Sequence, residues 1–151
     1  MHQSNCWLIF DSTLKTKALT LAFTLQVDMK RLFNDLDGTL TIDDVIFTYA
    51  QKSSYKEVLE ILYQYKSMLF EIEVNTSRNM NTYNQALGKI NKHTLPVIIE
   101  WLNTHNIPYD KIFVGKPWCG KEGFYIDDKS IWPDEFVKLS YDEIKKLVVI
   151  N

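Results

Sequence analysis

The chain has 151 residues, 46% of them hydrophobic and 24% charged, enough for one domain with a sizeable core. Its 17 basic and 19 acidic residues leave a net charge of −2, which excludes the basic footprint of a nucleic-acid binder. Two cysteines, Cys6 and Cys119, lie far apart without a CxxC pattern; that excludes a disulfide framework or a zinc knuckle and fits a reducing cytoplasm.

In chain order, the first segment is residues 1–28. Its apolar run Ala18 to Val27, "ALTLAFTLQV", follows Lys15 and Lys17 in the manner of a signal peptide. The run is too short to span a bilayer, no small-residue cleavage site follows it, and Asp11 lies upstream. The reading is therefore a cytoplasmic protein without a membrane span. Met29 opens the working domain, because "MKRLFNDLDGTL" runs from a basic start into an apolar strand. Residues 1–28 are then an added arm or a misassigned start, and residues 29–151 the domain.

From Met29 onward strand-like and helix-like pieces alternate, the pattern of an α/β domain with a mostly parallel sheet. Lys30 to Asn34 reads as a first, buried strand. Ser54 to Met68 reads as a helix opened by a capping box of Ser54 and Glu57, with Val58, Leu59, Leu62, Tyr65 and Leu69 near helical spacing. Phe70 to Asn75 is a second strand. Thr94 caps a helix from Leu95 to His105, with Pro96 tolerated in its first turn, and "GKINKHT" before it reads as a polar loop. Lys111 to Val114 and Phe124 to Ile126 are further short strands, and Ser140 with Glu143 repeats the capping box for a closing helix to about Val148.

The stretch "LFNDLDGTLTIDD", Leu32 to Asp44, holds four aspartates and one glycine. Asp35 and Asp37 stand at the carboxyl end of the first strand, where open α/β sheets bind ligands. Two residues apart on extended chain, they face one way. Gly38 permits a sharp turn without a Cβ penalty, although acids beside a glycine also simply make turns. The second strand runs into "NTSRN" and offers the Thr76 hydroxyl. "GKPWCGKEG" after the third offers Lys116, and "YIDDK" offers Asp127 and Asp128. Clustered carboxylates repel one another and raise one another's pKa, a strain that a divalent cation and a lysine relieve. Such a cluster has the makings of a phosphate site.

In "DLDGTL", "VNTSR", "GKP" and "YIDD", standing in that order, the chain resembles the haloacid dehalogenase-like (HAD) superfamily of phosphohydrolases, over Met29 to about Phe136. The resemblance implies a Rossmann-like HAD core, a mostly parallel sheet flanked by helices. It implies that Asp35 attacks phosphorus to form an aspartyl-phosphate and that Asp37 is the acid–base. It also implies that Thr76 and Lys116 hold the phosphoryl oxygens, and that Mg²⁺ is bound by the Asp35 carboxylate, the Asp37 carbonyl and Asp128, with Asp127 in support. The loop from Asp37 to Ser54 is short and nothing has the size of a cap domain. Capless members take larger substrates or borrow a neighbouring subunit as a lid, so a homo-oligomer is one expectation. Lys116 lies only eleven positions before Asp127, without the usual intervening helix.

The middle of the chain, from "NTSRNMNTYNQALGKINKHT" to "GFYIDD", is similar to capless phosphatases encoded with bacterial capsule biosynthesis genes. This implies a small phosphate monoester of sugar, polyol or amino alcohol as substrate, in capsular or surface-polysaccharide assembly. Arg78 and Asn79 follow the Thr76 turn and are candidates for substrate binding, as are Lys89 and His93. Each also reads as an ordinary solvated loop residue. Trp118 serves as an aromatic wall or as core. Asp43 and Asp44 read as solvated turn residues or as charges that steer the field of the metal site, Asp134 and Glu135 as helix-start acids, and Cys119 has no histidine placed to activate it. The alternatives to a hydrolase are a phosphotransferase or mutase, disfavoured by an open site that admits water, and a non-catalytic HAD-like partner protein.

Overall fold

In the computed structural model, which describes residues 29–44 and 46–148, three short strands lie side by side in the order β1-β2-β3: β1 (Arg31–Asn34), β2 (Glu71–Thr76) and β3 (Lys111–Val114). Both pairings are parallel, with Asn34 opposite Val74 and Thr76 opposite Val114. Parallel neighbours need crossovers, which the helices supply. These are α1 (Lys56–Ser67), α2 (Leu87–His93) and α3 (Leu95–Thr104), with α4 (Pro133–Lys138) and α5 (Tyr141–Leu147) closing the described chain. The architecture is a Rossmannoid α/β sheet flanked by helices, with no large extra domain among the described residues. The readings made for residues 1–28 lie outside the described residues.

The core forms where the apolar stripes of the helices meet the sheet. Val58, Leu62 and Tyr65 of α1 and Ile98, Trp101 and Leu102 of α3 cluster with Ile72 and Val74 of β2, and Phe136 and Ile144 extend the cluster from α4 and α5. Leu36 and Leu40, wholly buried, carry it beneath the turn after β1. That turn is tight. Gly38, at φ 77°, donates its N–H to the Thr41 carbonyl, and Leu40 and Thr41 both donate to the Leu36 carbonyl.

Five local expectations are corrected. The first strand is an edge strand with Phe33 57% exposed, because β2 occupies the centre of the sheet. Phe124 to Ile126 form no strand; the segment is irregular and Ile126 is 91% exposed, so the described sheet has three strands. Ser54 does not cap α1, which starts after Tyr55 without a side-chain cap; Ser54 instead bridges Thr41. Thr94 is helical and gives α3 no side-chain cap, since its hydroxyl accepts from Asn79 Nδ2 at 2.8 Å. "GKINKH" belongs to α2 rather than to a loop. The closing capping box does form: Ser140 Oγ accepts from the Glu143 N–H, and Glu143 Oε2 accepts from the Ser140 N–H at 2.8 Å.

Candidate active site

Asp35, Thr76 and Lys116 are delivered by the ends of strands. Parallel strands point their carboxyl ends the same way, so β1, β2 and β3 release Asp35, Thr76 and Lys116 at one sheet edge. The Thr76 carbonyl accepts from the backbone N–H groups of Gly115 (3.2 Å) and Lys116 (3.1 Å), which ties the end of β2 to the residue that follows β3. Lys116 Nζ then reaches Asp35 Oδ1 at 3.0 Å. The Thr76 side chain is buried and its Oγ1 accepts from the Arg78 N–H at 3.0 Å, so the hydroxyl shapes the turn that aims Arg78.

Arg78 is the most deeply buried charge of the cluster, its side chain 1% exposed. Its guanidinium grips Asp37 with two nitrogens, Nη2 to Oδ1 at 2.5 Å and Nε to Oδ2 at 3.1 Å, the fork geometry that suits arginine to carboxylates. Nη1, equally buried, has no hydrogen-bond partner among the described residues. The Tyr49 ring covers the guanidinium at 4.2 Å from carbon to centroid.

Sequence reasoning missed Lys52 and Tyr49. Lys52 is 7% exposed in its side chain, with Nζ 2.5 Å from Asp43 Oδ1, 3.8 Å from Asp37 Oδ1 and 5.2 Å from the Tyr49 ring centre. No motif marks it. The signal was its place at the foot of a loop that must return to the sheet edge bearing Asp35 and Asp37. Asp43, read as a turn residue, is the partner of Lys52, whereas Asp44 does serve a turn by accepting from the Ile46 N–H.

Three carboxylates thus meet three cations: Asp35, Asp37 and Asp43 against Lys116, Arg78 and Lys52. Burial raises the Asp35 pKa above the ordinary aspartate value; Lys116 pulls it down and the neighbouring Asp37 charge pushes it up, leaving a net rise.

The remaining predicted residues are not drawn in. Asn79, at φ 61°, turns to Thr94. Lys89 and His93 are exposed on α2, with the His93 ring 6.1 Å from that of Tyr83. Trp118 is exposed rather than core. Asp127 and Asp128 follow the irregular, exposed segment, and Asp127 Oδ1 accepts from the Lys129 N–H two residues on. No group of three or more histidine, cysteine or acidic side chains able to hold a metal forms among the described residues. Asp35 and Asp37 lie close enough for the Asp37 charge to act on Asp35, and neither Asp127 nor Asp128 completes a group of three with them. A cavity of about 250 Å³, lined by Met29, Lys66, Leu69, Phe70, Glu71 and Asp110, opens at the amino ends of the strands, away from this cluster.

Fold and site together define a small α/β domain with an all-parallel sheet and a carboxylate–cation cluster at its carboxyl edge. The chain is similar to the crystal structure of an MCSG target from Vibrio cholerae: 49% identical, covering 80% of this chain and 98% of that one, with a TM-score of 0.77. At that identity and coverage, the chain belongs to the same family as the Vibrio cholerae protein. No family model matches it, and no curated protein does. No helix among the described residues is long and apolar enough to cross a membrane.

Proposed function

We propose that the chain is a Mg²⁺-dependent HAD-like hydrolase of small phosphate monoesters, of sugar, polyol or amino-alcohol type, serving capsular or surface-polysaccharide biosynthesis in the cytoplasm. The observation that carries this reading is the buried Arg78 Nη1, a charged donor with no acceptor among the described residues, on the guanidinium that grips Asp37. A phosphoryl oxygen supplies the acceptor it lacks, and phosphoryl transfer needs mostly such positioned charge.

Asp35 is the nucleophile. Its carboxylate oxygen attacks phosphorus as the ester oxygen departs, and Lys116, 3.0 Å away, stabilises the phosphoryl charge as its bond to Asp35 is given over to substrate. Asp37 protonates the leaving oxygen and later takes a proton from the water that hydrolyses the aspartyl-phosphate. Both its oxygens are held by Arg78, so one of these bonds must be exchanged for the leaving group. Mg²⁺, when bound, would neutralise charge on the transferring phosphoryl group, held by the Asp35 carboxylate, the Asp37 carbonyl and an acid from the Asp127–Asp128 segment.

One observation favours a second reading, a non-catalytic partner that keeps the fold: Asp127 and Asp128 do not join the other two acids. Phosphate release from a panel of monoesters, with Mg²⁺ and with chelator, separates the two. Release that is lost in chelator and in Asp35→Asn is expected. Release surviving either treatment sinks the mechanism, and none from any ester favours the partner protein.

A further inference from the structure

We infer that Lys52 is the positioning residue for Asp37, an inference that rests on the phosphatase reading. Burying an ammonium group is costly unless it is paired, and a lysine that served only a surface ion pair would keep its head in water. Asp43 offered that option, since its own side chain is 65% exposed. Lys52 makes that pair, with Nζ 2.5 Å from Asp43 Oδ1, yet only 7% of its side chain is exposed and its head also lies 3.8 Å from Asp37 Oδ1.

The backbone that carries it is held in place from three sides. Trp101 Nε1 donates to the Lys52 carbonyl at 2.7 Å, the Ile42 N–H donates to the Ser53 carbonyl at 2.8 Å, and Thr41 bridges both Asp37 and Ser54. Trp101 is itself 2% exposed, so the anchor comes from the core. The same Tyr49 ring covers Lys52 and Arg78. Asp37 Oδ1 therefore has two cations near it: Arg78, sent from the end of β2, and Lys52, sent from the return of the loop after β1. When the leaving group takes one of the Arg78 bonds, Lys52 is the group still at hand to keep the carboxylate from turning away.

The full chain, assayed with p-nitrophenyl phosphate and Mg²⁺, tests this. Lys52→Met lowers kcat about tenfold with KM within about twofold of the unmodified value, and Lys52→Arg restores most of the loss. Thermal melting of each variant reports on folding separately. A folded Lys52→Met with unchanged kcat overturns the inference, and so does a change confined to KM, which makes Lys52 a substrate ligand. If the unmodified chain hydrolyses no ester, the phosphatase reading fails on its own. Lys52 is then judged by a crystal structure of Lys52→Met: Asp37 turned off Arg78 supports positioning, and Asp37 unmoved overturns it.

Discussion

The Arg78 guanidinium holds both carboxylate oxygens of Asp37, through Nη2 at 2.5 Å and Nε at 3.1 Å, across 41 positions of sequence. The pair joins the turn after β1 to the turn after β2, so it stabilises the sheet edge and arranges the site at once. Arg78→Ala removes the fork and leaves Asp37 with Lys52 alone. Because Asp37 is 30% exposed and keeps that second cation, the expected loss is about 1–3 kcal/mol, below that for a fully buried pair. Phosphate release should fall about 100-fold or more, and Arg78→Lys should recover little, since an ammonium group lacks the fork. Urea denaturation and steady-state kinetics measure the two effects.

Lys116 lowers the pKa of Asp35 against the larger effect of burial. Lys116→Met removes that help, so the Asp35 pKa rises further. The nucleophile must be ionised, and the acid limb of kcat/KM should therefore move to higher pH in the variant. An unmoved limb, in a variant that still turns over, contradicts the pairing.

Asp35 also governs a part of the pH dependence of stability. Its folded pKa lies above the ordinary 3.8, so the native state holds the proton more tightly than the unfolded chain. Stability from this group is present below 3.8 and is lost as pH rises through the folded value. Asp35→Asn carries no such loss. Its melting temperature, relative to the unmodified chain, should rise with pH across that window and then level off.

Trp101→Phe tests the anchor of the loop after β1. The substitution removes the donor to the Lys52 carbonyl and part of a side chain that is 2% exposed. A loss of about 2–4 kcal/mol is expected from the unpaired carbonyl and the incomplete filling. Kinetically, the variant should follow Lys52→Met in lowering kcat more than KM.

Gly115 stands between β3 and Lys116 at φ 97°, with Leu87 Cδ2 2.7 Å from where a Cβ would be. Gly115→Ala should cost about 1–2 kcal/mol from backbone strain and the displaced leucine. Activity should fall too, because the strain is relieved by moving the residue that carries Lys116.

Much of this protein was legible along the chain. The second and third strands, the helix after Thr94 and the Ser140–Glu143 box follow from local periodicity and capping chemistry, which neighbouring residues decide among themselves. "DLDG" marked the turn after β1 for the same reason, since only the glycine tolerates its φ there. Other features depended on residues far apart in sequence. Phe33 became an edge residue because β2 took the centre of the sheet, and Ser54 became a bridge partner because Thr41 was folded against it. Phe124 to Ile126 had strand composition but no pairing in the described sheet, and a strand exists only through its partner. Lys52 is the clearest case. By composition it is an ordinary loop lysine, and only the folding of that loop onto Trp101, with Arg78 arriving from the next strand, turns it toward Asp37. The sequence by itself determined which residue types stand at the strand ends; the long-range contacts decided which charges meet there, because an ion pair depends on distance in space and periodicity records only distance along the chain.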